Sequence, residues 1–281
     1  MFNSSSVNKL IQLALDEDFA ADDITSRLTL PEGRPAAAMV IAREPLVFCG
    51  GPLVERIFLE AGCRASIRLC ALEGQELAEN ADLVEIDGMA RDLLALERTT
   101  LNFLQRLCGI ATLTRAWTRA APGLIVLDTR KTTPGWRLLE KYAVKTGGGC
   151  NHRMGLSDMI LVKNNHVDLL GQDLKMTLQK ALAAKPRYTP VEVEVRTLQE
   201  LAEVLDLEID AVMLDNMSDK EIGAALDVIK ARAPRLKVEV SGGLTVERLK
   251  TLQELGVNCV SCGALTNRAR SVDISMKLES R

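Results

Sequence analysis

The sequence predicts an α+β module followed by an α/β module whose parallel strands, about six in number, close or nearly close into a barrel. Three observations predict it. Short apolar, β-rich runs recur after residue 108, most end on or beside a polar residue, and helix-start signals stand between them.

Before residue 108 the pattern is mixed. Residues 7–19 have helical spacing, residues 37–48 and 64–70 read as strand-like, residues 70–86 are broken by turn residues, and residues 91–107 predict a longer helix. After it the runs are Leu124–Asp128, Met159–Lys163, Val191–Val195, Ala211–Asp215, Lys237–Ser241 and Asn258–Cys262. Their ends step by 20 to 35 residues, which is room for a strand–helix–strand crossover. Thr133-Pro134 predicts an N-cap with proline at the first helical position. Thr197-x-x-Glu200 and Ser218-x-x-Glu221 both match the capping box. A doubly wound open sheet is the competing architecture, but no G-x-G-x-x-G follows the first of these strands.

Length and composition narrow the function classes. At 281 residues, 47% hydrophobic and 26% charged, the chain can bury a core without disulfides or metals. No apolar run reaches the length of a membrane helix, and the start lacks a secretion signal, so neither membrane nor export is expected. A net charge of −3 with 3% aromatics argues against a nucleic-acid partner. Seven cysteines, an odd count, fit a reducing cytoplasm. Cys259 and Cys262 spell C-x-x-C, but a strand points residues three apart to opposite faces, which disfavours a shared metal.

The polar residues favour the barrel, whose active sites form at the carboxyl ends of its strands. Asp128, Thr129, Arg130 and Lys131 follow the first run, Lys163 ends the second, Glu194 lies in the third, Asp215 ends the fourth and Ser241 ends the fifth. Arg130 and Lys131 precede a helix start, where a guanidinium fork and a point charge suit a carboxylate or phosphate. Gly147-Gly148-Gly149 permits turns that bring His152-Arg153 to a ligand, while His166 is a candidate to hold its own loop. Lys163 at an apolar strand end must either meet an anion or act as a Schiff-base nucleophile. Glu194 and Asp215 are hard oxygen donors suited to Mg²⁺ shared with substrate phosphates, or to pairing with the basic groups. Ser241-Gly242-Gly243 and Gly263-Ala264-Leu265 follow the last two strands, where barrels often bind phosphate. Arg98 interrupts a helical stripe of Leu94, Leu101, Leu104 and Cys108, so it either enters a neighbouring subunit's site or snorkels to water.

Together these stretches resemble the quinolinate phosphoribosyltransferase family of type II phosphoribosyltransferases (nicotinate-nucleotide pyrophosphorylase, carboxylating). The resemblance runs from Asp23-Ile-Thr-Ser26 through ERTTLNFLQRLCGIAT, DTRKTTPG, KYAVKTGGGCNHRMGLSDMILVKNNH, VEVEV, MLDN, VEVSGG and GALT, and is most specific from Asp128 to His166. It implies an amino-terminal α/β sandwich over 1–108, rejoined by the tail 266–281, and an incomplete α/β barrel over 109–265. It implies transfer of phosphoribosyl from phosphoribosyl pyrophosphate to quinolinate with decarboxylation, in NAD biosynthesis, by a cytoplasmic homodimer or hexamer of dimers. By matching position, Thr129, Arg130, His152, Arg153 and Lys163 would bind quinolinate, with Arg98 from the partner subunit. Lys131, Glu194 and Asp215 would be catalytic and face phosphoribosyl pyrophosphate, with Mg²⁺ near Glu194 and Asp215 held mainly through the pyrophosphate. Ser241, Gly242, Gly243, Gly263, Ala264 and Leu265 would take the 5′-phosphate. Trp136 replaces a usual aliphatic, and Cys108 and Cys262 replace small residues. The rival readings are a paralogue associated with molybdate transport, a Schiff-base lyase using Lys163, and a non-catalytic binding protein.

Overall fold

The structure, a computed structural model, describes residues 1–18, 20–171 and 173–281. The first elements are α1 (Ser5–Glu17), α2 (Ile24–Thr29), β1 (Pro35–Ala42), β2 (Leu46–Val47), α3 (Gly51–Glu60), β3 (Ser66–Leu69), β4 (Glu76–Leu77), β5 (Asp82–Met89) and α4 (Ala90–Ala120). Then come β6 (Ile125–Leu127), α5 (Arg137–Thr146), β7 (Ile160–Val162), α6 (Asn164–Leu170), α7 (Leu174–Ala184), β8 (Val191–Val195), α8 (Leu198–Val204) and β9 (Ala211–Asp215). The chain ends with α9 (Asp219–Arg232), β10 (Lys237–Ser241), α10 (Val246–Leu255), β11 (Cys259–Ser261), α11 (Ala264–Asn267) and β12 (Ile274–Ser280). No helix among the described residues is long and apolar enough to cross a membrane.

Two compact units form, and both are discontinuous in sequence. One comprises Met1–Arg115, Lys131–Gly148 and Ala264–Arg281; the other comprises Ala116–Arg130 and Gly149–Gly263.

The first unit is built on an antiparallel sheet of order β12-β1-β5-β3. β1 buries Ala36, Ala38, Val40 and Ala42 in strict alternation, the period of a strand with one face in the core. The chain's last strand, β12, pairs with β1 from Ala42↔Ile274 to Ala36↔Ser280. α1 starts at Ser4, whose hydroxyl accepts from Val7 N, and buries Val7, Ile11 and Leu15. α3 has no side-chain cap of its own; the Glu73 carboxylate accepts from Gly50 N and Gly51 N at its start. Arg106 ties the unit's three segments together, donating to the Glu140 carboxylate (Nη2 to Oε1, 2.7 Å), to Ala269 O (2.6 Å) and to Thr266 O.

The second unit holds a six-stranded parallel sheet of order β6-β11-β10-β9-β8-β7. β6 and β7 are its edges, so the barrel is incomplete. All six predicted runs form its strands, as the crossover rhythm requires. Thr197 and Ser218 cap α8 and α9, accepting from Glu200 N and Glu221 N. Ser218 completes the capping box; Glu200 instead accepts from Arg196 N (2.6 Å).

Three local expectations are corrected. The stretch 70–86 is not turn-punctuated to its end: from Asp82 it enters the interior strand β5, whose alternation is masked by acidic residues on its other face and by Gly88. The helix expected over 91–107 continues to Ala120, because Leu107, Ile110, Ala111, Thr114 and Trp117 extend the buried stripe at helical spacing. Thr133 does not cap α5. Gly135, at φ +83°, turns the chain, and the helix starts at Arg137. Thr133 N and Oγ1 instead donate to the buried Glu140 carboxylate, at 3.1 and 2.9 Å.

Candidate active site

Strand alternation sorts the six-stranded sheet into two unlike faces. Val191, Val193, Val195, Val212, Leu214, Val238 and Val240 share one face and are all buried. The intervening residues share the other. Its register brings Glu194, Met213, Glu239 and Cys259 into one row across β8, β9, β10 and β11. One step nearer the carboxyl ends, Asp215, Ser241, Ser261 and Leu127 form the next row. Polar groups gather on this face because the valine face already supplies the buried apolar surface, leaving the other free for chemistry.

His152 and Arg153 reach the site from the segment beside β6, where Leu127 bridges Cys150. The wholly buried Asp128 fixes that segment, accepting His152 N at 2.9 Å. His152 is gripped at both ring nitrogens. Nδ1 accepts from Arg153 N (2.7 Å), and Nε2 lies 3.4 Å from Glu192 Oε2 and 3.6 Å from Glu239 Oε2. Arg153 donates to Met159 O (3.3 Å); burial, and secondly the charge of Arg130, push its pKa down. Arg130 Nε is buried and meets no acceptor. Two guanidinium groups held close enough to repel, one with a buried donor left over, are chemically suited to receive an anion.

Lys163 lies between the remaining parts. Its Nζ donates to Glu194 Oε2 at 2.7 Å, and Glu194 Oε1 also accepts from Asn164 N (3.4 Å). His166 takes the structural role open to it, Nδ1 accepting from Lys163 N at 2.8 Å. Asp215 accepts from Asn216 Nδ2 (2.8 Å). Glu194 and Asp215 share a face, but both are already hydrogen-bonded. Two hard oxygen donors in that state fit Mg²⁺ held jointly with phosphate oxygens of a substrate, not a cage made of protein alone.

The Ser241–Gly243 turn is shaped for close backbone approach. Gly242 and Gly243 have φ of +83° and +58°, and a Cβ at Gly242 would stand 2.1 Å from Asn216 Oδ1. Asn216 in turn holds Asp215. Gly242→Ala should therefore shift Asp215 as well as the turn. Steady-state kinetics should show the KM rising roughly ten-fold for a substrate whose phosphate rests on that turn, with a smaller change for one bound elsewhere. In the Gly263–Leu265 turn, expected from the sequence to meet phosphate, the Leu265 side chain is fully buried, which leaves its backbone as the group a ligand could reach.

Thr129, Arg130, His152, Arg153, Lys163, Glu194, Asp215, Ser241, Gly242, Gly243 and Gly263 all belong to the second unit. Arg98, Lys131, Ala264 and Leu265 belong to the first. There Thr266 Oγ1 donates to Lys131 O at 2.8 Å. Arg98 is exposed, as is Leu94 at 38%, so Arg98 does not interrupt a buried seam; only the Leu101, Leu104 and Cys108 part of that stripe is core. Gly147 is needed because a Cβ there would lie 2.5 Å from Ala111 O, within its own unit. Trp136 stacks on Phe103 with ring centroids 4.6 Å apart, and Cys108 Sγ accepts from Cys49 N. Glu192 and Glu239 were passed over in the sequence. The alternation in VEVEV and KVEVS was the signal, since it sets Glu192 beside Glu194 and Glu239 before Ser241 on one face.

Comparison with known proteins agrees over almost the whole chain. The family model described as Quinolinate phosphoribosyl transferase, N-terminal domain matches residues 23–108, and the corresponding C-terminal domain model matches residues 110–277. A rice (Oryza sativa subsp. japonica) protein named nicotinate-nucleotide pyrophosphorylase [carboxylating], chloroplastic, is 36% identical over 96% of this chain and 77% of its own length. A Bacillus subtilis protein named as a probable enzyme of that name is 36% identical over 98% of this chain and 94% of its own. The solved structure of NadC from Streptococcus pyogenes superposes with a TM-score of 0.91 at 36% identity, covering 98% of this chain and 97% of that one. A nicotinate-nucleotide pyrophosphorylase structure from Ehrlichia chaffeensis gives 0.90 at 32% identity, covering 99% and 100%. With both domain models matched in order and a fold shared from end to end, the chain belongs to the quinolinate phosphoribosyltransferase family.

Proposed function

We infer that this chain transfers the phosphoribosyl group of phosphoribosyl pyrophosphate to the ring nitrogen of quinolinate, with loss of CO₂. The products are nicotinate mononucleotide, CO₂ and pyrophosphate, a step of de novo NAD biosynthesis. The observation that carries the reading is the pairing of Arg130 and Arg153, with the buried Nε of Arg130 lacking an acceptor, in a chain of this family. A small aromatic diacid supplies the two negative charges such a pair requires.

Arg130, Arg153 and Lys163 hold the carboxylates, and Thr129 and the His152 ring border them. Arg98 of a neighbouring copy completes the pocket in a homodimer or a larger assembly of dimers. Glu194 and Asp215 face the ribose and its pyrophosphate, Lys131 meets the pyrophosphate charge, and the turns at Ser241–Gly243 and Gly263–Leu265 take the 5′-phosphate. Mg²⁺ brought with the pyrophosphate neutralises charge on the leaving group when bound. Positioning both substrates removes much of the entropic barrier. As the pyridine nitrogen attacks, positive charge grows at the anomeric carbon beside Glu194. N-ribosylation then makes the ring cationic, and that charge stabilises the electron pair left at the adjacent carbon when CO₂ departs. Cations that grip the carboxylates equally in ground and transition states orient more than they accelerate. The cytoplasm, a reducing compartment that suits an odd count of seven cysteines, is the proposed compartment.

The Lys163–Glu194 contact speaks against a Schiff-base lyase, because it commits the lysine nitrogen to a 2.7 Å ion pair, whereas a Schiff-base nucleophile needs that nitrogen's lone pair free. Purified enzyme supplied with quinolinate, phosphoribosyl pyrophosphate and Mg²⁺ should release CO₂ and form nicotinate mononucleotide in equal amounts. Borohydride trapping of a substrate on Lys163, without nucleotide formation, would overturn the reading.

A further inference from the structure

The mechanism above leaves two buried carboxyls without a task. Glu192 on β8 and Glu239 on β10 lie on the polar face of the six-stranded sheet, with β9 between them. Their side chains are 3% and 5% exposed, and each has an oxygen, Oε1, that is buried and unpartnered. Both direct the other oxygen at His152 Nε2, and one donor atom from each of the three side chains lies within 4.8 Å of the others. His152 cannot turn away. Asp128 holds its backbone N–H, and its Nδ1 is occupied as an acceptor by Arg153 N, so the ring proton sits on Nε2, facing the carboxyls.

One N–H cannot neutralise two desolvated carboxylates. Burial first, and Glu192 second, push the Glu239 carboxyl well up from its ordinary value, against the pull of His152, the Ser261 hydroxyl and Lys163. The other titratable groups around it do not supply the missing charge. Cys259 on β11, its Sγ 4.0 Å from Glu239 Oε2, is pushed up to about 12 by burial and stays a neutral thiol. β9 offers Met213 in the same row. Lys163 is shared with Glu194, and Lys237 stands at the exposed start of β10 beside Cys259. Arg153 lies on the substrate side of His152 next to Arg130, and Cys150 precedes the segment.

We propose that Glu239 takes up a proton when quinolinate binds, so that the carboxyl pair behind His152 holds one negative charge instead of two as the diacid arrives. Glu239 is then a positioning residue. It keeps His152 in one tautomer and one orientation, and it makes quinolinate affinity depend on pH. The inference rests on the functional reading above. Its sign follows from linkage: a group protonated more in the complex than in the free enzyme weakens binding as pH rises, by up to about ten-fold per pH unit for one proton.

Calorimetric titration of quinolinate into the whole enzyme, in phosphate and in Tris at about pH 7.5, reads the proton directly, because the two buffers ionise with different heats. Wild-type enzyme should take up a substantial fraction of one proton, and its Kd should rise several-fold between about pH 7 and pH 8. Glu239→Gln should abolish the uptake and flatten that slope. Glu192→Gln, which removes the repelling neighbour, should reduce the uptake and covers the case in which Glu239→Gln does not fold. Binding of phosphoribosyl pyrophosphate should show the same buffer dependence in all three proteins, which a general loss of structure would not give. Quinolinate binding with no buffer dependence in the wild type, or equal uptake in Glu239→Gln, overturns the inference alone. Tight Mn²⁺ binding to the substrate-free enzyme that Glu239→Gln abolishes also overturns it, by showing that the pair holds a cation. Failure of the wild type to bind quinolinate overturns the functional reading, and this inference with it.

Discussion

Arg153→Ala lowers kcat/KM for quinolinate by about 100-fold, while the Kd for phosphoribosyl pyrophosphate changes little. The magnitude follows from two or so charge-assisted hydrogen bonds lost to a carboxylate in a partly buried site, each contributing about 1.5–3 kcal/mol before compensation by neighbours. Arg130 would remain, but its charge alone is set against a dianion. The selectivity follows from position: Arg153 donates to Met159 O and lies beside His152 and Arg130, whereas Glu194, Asp215 and the Gly242 turn stand on other strand ends. Steady-state kinetics with each substrate varied in turn, together with direct binding of phosphoribosyl pyrophosphate, checks it. Equal and small losses for both substrates would remove Arg153 from the diacid pocket. A fall in kcat with unchanged KM for quinolinate would move its contribution from the ground state to the transition state.

Glu140→Ala destabilises the protein by about 3–5 kcal/mol, the cost of stripping a buried cation of its partner. Glu140 is wholly buried and is the common acceptor for Arg106 Nε and Nη2 and for Thr133 N and Oγ1. Its loss leaves the Arg106 guanidinium, with a side chain only 20% exposed, facing carbonyl oxygens alone, and releases the turn that follows Lys131. Urea unfolding should show the midpoint falling with an unchanged slope. Adding Arg106→Met should restore part of the loss, since an apolar pair replaces an uncompensated charge. A midpoint unmoved by Glu140→Ala would show that the network is not what joins α4, α5 and the chain's end.

Much of the site was legible because strand ends announce themselves. Asp128, Lys163 and Asp215 each close a short apolar run, and the structure sets them at the carboxyl ends of parallel strands. Glu194 was legible for the same reason. Other features depend on partners far away in sequence. Thr133 has the spelling of a cap but bonds Glu140, because Gly135 turns the chain before a helix can begin. Arg98 and Arg106 stand eight residues apart on α4, and the sequence drew attention to the exposed one. Arg106 is distinguished by the Glu140 carboxylate and by carbonyls at Thr266 and Ala269, the last two more than 150 residues away. Strand β5 was hidden because its polar face and Gly88 resemble turn chemistry until β1 and β3 flank it.

By itself the sequence determined the six-run rhythm, the apolar and polar faces of each strand, and the basic and acidic residues at the strand tips, because these follow from local periodicity and from the cost of burying charge. Only the tertiary structure decided which buried charges meet: Glu192 and Glu239 around His152, Lys163 on Glu194, Arg106 on Glu140. The first two pairings depend on the register of a sheet whose neighbouring strands are distant in the chain, and the third on two helices, α4 and α5, that meet across 34 residues of sequence; local propensity carries no record of either.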